Sequence, residues 1–222
     1  MSSLVGVIGS RGDLVARRIP RDGFYADGLP FDLPLRYRFR TAWLELVLRL
    51  RVALLGLWRG LTTGLGVFGV GRLYASVLRA DGTIEHLGLL ATRLVTDAGV
   101  AFFVDNWDNK ATDISTLNYH GCGTGAVAEA VGDTALGTEC TAVLNPDNTR
   151  ATGTRSQPAA NQYRSVGTLT FDGTAAVTEH GILSQSATGG GTLWDRSVFA
   201  AINVASGDSI QFTYTCTLSS GG

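Results

Sequence analysis

Lysine occurs once in this chain, at position 110, and charged residues of all kinds make up only 17% of its 222 residues. Both figures are low for a soluble domain, in which about a quarter of residues are charged. Cysteine is also scarce: Cys122, Cys140 and Cys216 show no C-x-x-C spacing. That removes zinc ribbons and dithiol redox motifs from consideration. An odd count allows one pair at most, and the simplest reading is three buried thiols acting as small hydrophobes in a protein assembled in a reducing cytosol. The 5 prolines and 29 glycines have no fixed period, which excludes a collagen-like fibre, and 45% hydrophobic residues exclude intrinsic disorder.

Long apolar runs are missing as well. The most apolar stretch, 42–71, is broken by Glu45, Arg49, Arg51 and Arg59, so no window of about 18 residues suits a membrane span. The first 22 residues carry a short apolar patch and then charges, unlike a secretory leader. Asn118, Asn145, Asn148 and Asn203 all lack the hydroxyl residue two positions on that glycosylation requires. A formal net charge of −1 argues against a dedicated nucleic-acid binder.

Catalytic and metal-binding patterns are absent in turn. There is no G-x-S-x-G elbow, and His86, His120 and His180 form no H-E-x-x-H pair. Asp105, Asp108 and Asp113, with Asn106 and Asn109, lack the glycine and terminal glutamate of a calcium loop and read as solvated acids. Gly64-x-Gly66-x-x-Gly69 follows a helical pattern and precedes a strand pattern, the reverse of a dinucleotide site. Arg11-Gly12-Asp13 is too short a match to inform. His120 and Cys122 would share a face of a strand, but no orienting or oxyanion group can be named, and the glycines around them read as a loop. Glu179 and His180 alternate on a strand and point to opposite faces, with His180 a strand-end residue whose ring is satisfied. The expectation is a protein with no catalytic residues, no metal and no cofactor.

What the chain does have is an uneven charge distribution. Residues 1–95 hold 13 Arg and 7 acids, a balance of +6, and residues 96–222 hold 4 Arg, Lys110 and 12 acids, a balance of −7. Two parts with different roles are implied. Residues 1–40 read as an extended arm, broken by Pro20, Pro30 and Pro34, of the kind that orders along a partner. Residues 41–59, TAWLELVLRLRVALLGLWR, form the strongest helical pattern, with Thr41 as cap. Two roles fit it: a buried helix, or one that grips another chain. Its apolar circumference, extended by Leu61, Leu65, Val67 and Phe68, predicts self-association through residues 41–71.

Residues 72–95 read as a hairpin around Asp81-Gly82, and 97–107 as a short helix capped by Thr96. Beyond 110 the pattern is all strand and turn. Ile210, Phe212, Tyr214 and Cys216 fall on one face of the last strand and Gln211, Thr213, Thr215 and Thr217 on the other, while Leu169 and Phe171 point inward from an earlier one. The expected fold class is mainly β: an antiparallel β-sandwich or small barrel, with an N-terminal extended arm, one apolar helix and a hairpin. The expected division is an arm at 1–40, a helix plus hairpin attachment region at 41–93, and an antiparallel β-domain at 94–222.

The segments VTDAGVAFFVDNW (95–107), NYHGCGTGAVAEAVGDTAL (118–136), YRSVGTLTFDGTAAVTEHGILS (163–184) and TLWDRSVFAAINVASGDSIQFTYTCTLSSGG (192–222) resemble virion structural proteins of tailed bacteriophages. The resemblance covers 94–222. It implies an antiparallel β-fold without catalytic residues, made in a bacterial cytoplasm and carried in the virion. The leading reading is a capsid decoration (cement) protein, binding the major capsid protein and self-associating as a trimer or dimer; the alternative is a tail fibre, baseplate or connector component. In the first case Arg17, Arg18, Arg21, Arg36, Arg38 and Arg40 would make charge-assisted contacts, with Trp43, Leu46, Leu50 and Trp58 as apolar anchors. No nucleic acid or membrane partner is expected.

Overall fold

The structure is a computed structural model that describes residues 4–8, 14–18, 67–108, 110 and 113–220. Strands β1 (Leu4–Ile8) and β2 (Leu14–Arg18) pair antiparallel, from Leu4 opposite Arg18 to Ile8 opposite Leu14, within the stretch expected to be an extended arm. The expected helix at 41–59 and the glycine-rich 60–66 lie outside the described residues.

The remaining strands form one antiparallel sheet. They are β3 (Val67–Leu78), β4 (Ile84–Val95), β5 (Tyr119–Gly123), β6 (Ala151–Thr152), β7 (Thr154–Ser156), β8 (Gln162–Thr170), β9 (Ala175–Leu183), β10 (Leu193–Val204) and β11 (Ser209–Ser220). Their order is β6-β5-β9-β10-β4-β3-β11-β8-β7. The two outermost strands are consecutive in the chain, with only Gly153 between them. The sheet therefore curls until its edges meet, and the barrel alternative of the expected fold class is the one adopted. No ladder joins β6 to β7 among the described residues, so the barrel is nearly closed and keeps only two short edges.

The expected hairpin forms, but its turn is longer than two residues: the connection runs 79–83, with Arg79 N donating to Thr83 O at 2.8 Å and Gly82 N to Arg79 O at 2.9 Å. Gly82 takes a φ of 84°, in the left-handed region that glycine enters without strain. The hairpin also belongs elsewhere than expected. β3 and β4 lie in the middle of the sheet, between β11 and β10. A boundary at 93/94 falls inside β4, so the hairpin is part of the barrel wall and not of a separate attachment region.

The alternation read in the last strand sets the core. Ile210, Phe212 and Tyr214 are buried, beside Leu73, Ala75 and Val77 of β3 and Leu169 of β8. Phe171, Val177, Phe199 and Ile202 belong to the same larger cluster, with Leu87, Leu90 and Leu144 among its other members. A second cluster, Leu117, Ile182, Tyr214 and Cys216, fills the other end with Phe102, Tyr163 and Trp194 against it. On the opposite face of the wall Tyr74, Leu89 and Thr213 are buried too, so the sheet is covered on both sides there.

Helix α1 (Asp97–Trp107) follows β4 directly. Thr96 caps it as expected, its hydroxyl accepting from Gly99 N at 3.0 Å. The helix meets β10 edge-on at Gly99: a Cβ there would lie 2.5 Å from Trp194 O. That close approach fixes which side of the helix faces the barrel.

Candidate functional site

The second half of the barrel interior is polar. β4 contributes Arg93, β10 Asp195, β9 His180, β5 His120 and β8 Ser165, all at least nine-tenths buried. Four of these strands are successive neighbours in the sheet, and Ser165 is reached across the closing seam. Arg93 Nη2 pairs with Asp195 Oδ1. Arg93 Nη1 lies 2.8 Å from His180 Nδ1, His180 Nε2 lies 3.0 Å from His120 Nδ1, and His120 Nε2 lies 2.8 Å from Ser165 Oγ. The guanidinium also stands 5.6 Å from the Tyr214 ring centroid, and Trp194 Nε1 donates to the Tyr214 hydroxyl at 2.8 Å.

The direction of this chain follows from arginine chemistry. A guanidinium has donors only. His180 Nδ1 must therefore accept, which leaves the hydrogen on its Nε2. That hydrogen is donated to His120 Nδ1, and the remaining hydrogen of His120, on Nε2, is donated to Ser165 Oγ. A serine nucleophile needs the opposite polarity, with a free imidazole lone pair aimed at its hydroxyl. The row has the members of a hydrolase relay wired the wrong way round for serine activation. Both rings are neutral: burial, then the Arg93 charge, lowers His120 to about 3 and His180 well below its ordinary value.

Two glycines make room for His120. A Cβ on Gly167 would lie 2.5 Å from the His120 ring, and one on Gly153 would overlap Ser165 Oγ and come within 2.8 Å of Asn118 O. Gly153 sits at the seam, where a backbone oxygen cannot give way cheaply. Gly153→Ala is expected to destabilise the fold by about 2–3 kcal/mol, as an overpacked core site does. A shift of the urea midpoint to lower concentration at unchanged slope would be the signature, and an unchanged midpoint would show that the seam can relax.

Three further ion pairs, in two groups, brace the loops. Glu179 accepts from Gly125 N, Gly137 N and Thr138 N at 2.8–2.9 Å and from Arg196 Nε at 2.8 Å, and Arg196 reaches Asp133 at 2.9 Å. Arg150 clamps Glu139 through Nε and Nη2 and donates to Gln185 O and Gly190 O. These carboxylates hold backbone donors and are occupied on every side. A cavity of about 260 Å³ lies between β4 and β10, lined by Leu87, Leu90, Ala200 and Ile202, and the Arg79 and Glu85 at its edge bind each other at 2.9 Å.

The residues singled out in the sequence are distributed as follows. The Gly121-Cys122-Gly123 stretch is strand β5 and not a loop. His120 and Cys122 do share its inward face, but His120 spends its nitrogens on His180 and Ser165. Cys122 instead faces Cys140, whose N donates to Cys122 O at 2.9 Å; the thiol hydrogen bond between them, then burial, pushes Cys122 well up. All three cysteines are free and buried. Glu179 and His180 take opposite faces, yet both are fully buried, and His180 lies inside β9 and not at its end. Asp105 and Asp108 hold Lys110 at 3.3 and 3.2 Å, and Asp113 caps the 3-10 turn Ile114–Thr116. β3 begins within the Gly64–Gly69 motif, so a strand follows it as expected. Arg17 and Arg18 lie on β2, and Arg21, Arg36, Arg38, Arg40, Trp43, Leu46, Leu50 and Trp58 lie outside the described residues, as does the Arg-Gly-Asp tripeptide. Among the described residues no helix is long and apolar enough to cross a membrane.

Arg93, Asp195 and Ser165 were not anticipated as a cluster. The available signal was a charge at an inward position of an apolar strand, in LLATRLV and in LWDRSV. Comparison with protein-family models, with curated proteins and with solved structures finds no match to this chain.

Proposed function

We propose that the chain is a bacteriophage virion structural protein of the capsid-decoration type, which binds the outside of the major capsid protein shell and stabilises it. The observation that carries this reading is the sealed polar row: the side chains best suited to chemistry are buried, with the donor polarity reversed for serine activation. A protein built this way works through its surface. The likeness of residues 94–222 to phage structural proteins supports the same reading, as does a basic first half joined to an acidic second half. The arm residues Arg17, Arg18, Arg21, Arg36, Arg38 and Arg40 and the anchors Trp43, Leu46, Leu50 and Trp58 are proposed to make the shell contact.

Quantitative gels of purified particles test it. Hundreds of copies per virion are expected; a few to some tens would assign the chain to the tail, and absence from the particle would overturn the reading. Replacing Arg36, Arg38 and Arg40 together by Gln is expected to weaken attachment to shells, most visibly at low salt. Undiminished attachment would remove those residues from the contact.

A further inference from the structure

Cys122 of β5 and Cys140, where the chain returns past it, are cross-strand neighbours. Thr124 N donates to Thr138 O at 2.8 Å and Cys140 N to Cys122 O at 2.9 Å, on either side of the antiparallel Gly123–Glu139 bridge. The next facing pair beyond that bridge is Cys122 and Cys140. Facing residues of an antiparallel pair stand about 4.5–5.5 Å apart at Cα. That lies inside the span of a disulfide. Both side chains enter the larger core cluster, so they leave the backbone on the same side, as a bridge requires. Their thiols are joined by a hydrogen bond. Cys216 stands apart, in the second cluster with Leu117, Ile182 and Tyr214. Among the described residues no third ligand joins the pair to make a metal site.

We infer that Cys122 and Cys140 are a modification site: in the folded chain hydrogen peroxide oxidises them to a disulfide that closes the loop between them, while Cys216 stays a thiol. Cys140 is the attacking member. It is 5% exposed where Cys122 is fully buried, and the hydrogen bond from the Cys122 thiol holds it below the usual thiol range. The acids that oppose a thiolate there, Glu139 and Glu179, are paired with Arg150 and Arg196. The Cys140 sulfur bonds to one peroxide oxygen, the O–O bond breaks, and the leaving hydroxide takes up the proton that Cys140 released. The Cys122 sulfur then attacks the resulting sulfenic acid. The S–O bond breaks, and the departing hydroxide leaves as water with the Cys122 proton. Two thiols and one peroxide give one disulfide and two waters; each sulfur loses one electron and the peroxide gains both.

The loop so closed, 123–139, carries the amides of Gly125, Gly137 and Thr138 that hold Glu179. Its attachment to the wall is non-covalent until the bond forms. A reducing cytosol keeps the pair open, and an oxidising exterior closes it. The inference does not depend on the virion reading.

Thiol counting on the full-length chain tests it. Protein is reduced, freed of reductant, treated while folded with a few equivalents of hydrogen peroxide, then unfolded and alkylated. It is expected to take up one alkyl group, at Cys216, where the untreated chain takes up three. Digestion is expected to yield a species that joins Cys122 to Cys140 and is lighter by two hydrogens. The oxidised protein is expected to unfold at higher urea, its unfolding constant lowered on the order of 100-fold, and dithiothreitol is expected to reverse this. Cys216→Ala should keep the shift and Cys140→Ala should lack it. Each variant is compared with itself before and after peroxide, so the cost of the substitution does not enter. Three alkylated thiols after peroxide, a link that involves Cys216, or sulfinic acid without a link would overturn the inference. A linked protein with an unchanged urea midpoint would overturn the fastening of the loop.

Discussion

Arg93→Met is expected to destabilise the folded chain by about 3–5 kcal/mol, the largest single-site loss foreseen for the barrel interior. The guanidinium stem fits the space that Gly71 leaves in β3, where a Cβ would lie 2.7 Å from Arg93 Cβ. Its head neutralises Asp195, which is fully buried and whose Oδ2 has no hydrogen-bond partner. Removing the cation leaves a carboxylate in the core with Ile182 N at 3.3 Å as its remaining donor, and deprives His180 Nδ1 of its own. The carboxylate must then take a proton or drag water into the wall. Replacing both partners, Arg93→Met with Asp195→Leu, removes the orphaned charge and is expected to recover more than half of the loss. Urea unfolding of the wild type and the three variants gives the coupling directly. Additive losses would mean that the two side chains do not stabilise each other.

Acid should unfold this protein early. His120 titrates near 3 in the fold and at its ordinary 6.5 when unfolded, and His180 is displaced in the same direction. Below pH 6.5 the unfolded chain therefore binds protons that the folded chain refuses. The stability due to the neutral rings is complete above pH 6.5 and drains away as the pH falls toward 3. His120 alone accounts for about 3 kcal/mol by pH 4. His120→Gln is expected to be less stable at pH 7 but to lose less on acidification. Parallel stability curves for the variant and the wild type between pH 7 and 4 would move the acid sensitivity to other groups.

The local elements were readable where one physical signal dominated. Thr96 before Asp97 marked the start of α1, and the strict alternation from Ile210 to Cys216 marked a strand with one face inward. Asp81-Gly82 marked a turn but not its length, because Arg79 extends the ladder by bonding Thr83. Gly121-Cys122-Gly123 read two ways, within an all-strand pattern and as a glycine loop, and the strand is what forms. Glycine usually signals a loop, but here it is demanded by crowding: a Cβ on Gly121 would lie 2.9 Å from a Leu183 methyl. Closure was invisible, since ATGTRS carries no apolar period and its pairing partners lie elsewhere in the chain. The polar row was half visible. An arginine or an aspartate at an inward position announces a buried charge, but only the register of β10 against β4 and β9 tells which charge answers it.

The placement of β11 has a consequence for synthesis. It pairs with β3 along one edge and with β8 along the other, from Ser209 opposite Leu78 and Thr170 onward. The β3–β4 hairpin therefore leaves the ribosome long before its neighbour exists. At ordinary elongation rates the wait is on the order of ten seconds. Throughout it, β3 presents an open edge and an apolar face holding Leu73, Ala75 and Val77. The most central part of the finished wall is thus the part that a nascent chain must shelter longest, and the last strand made is the one that relieves it.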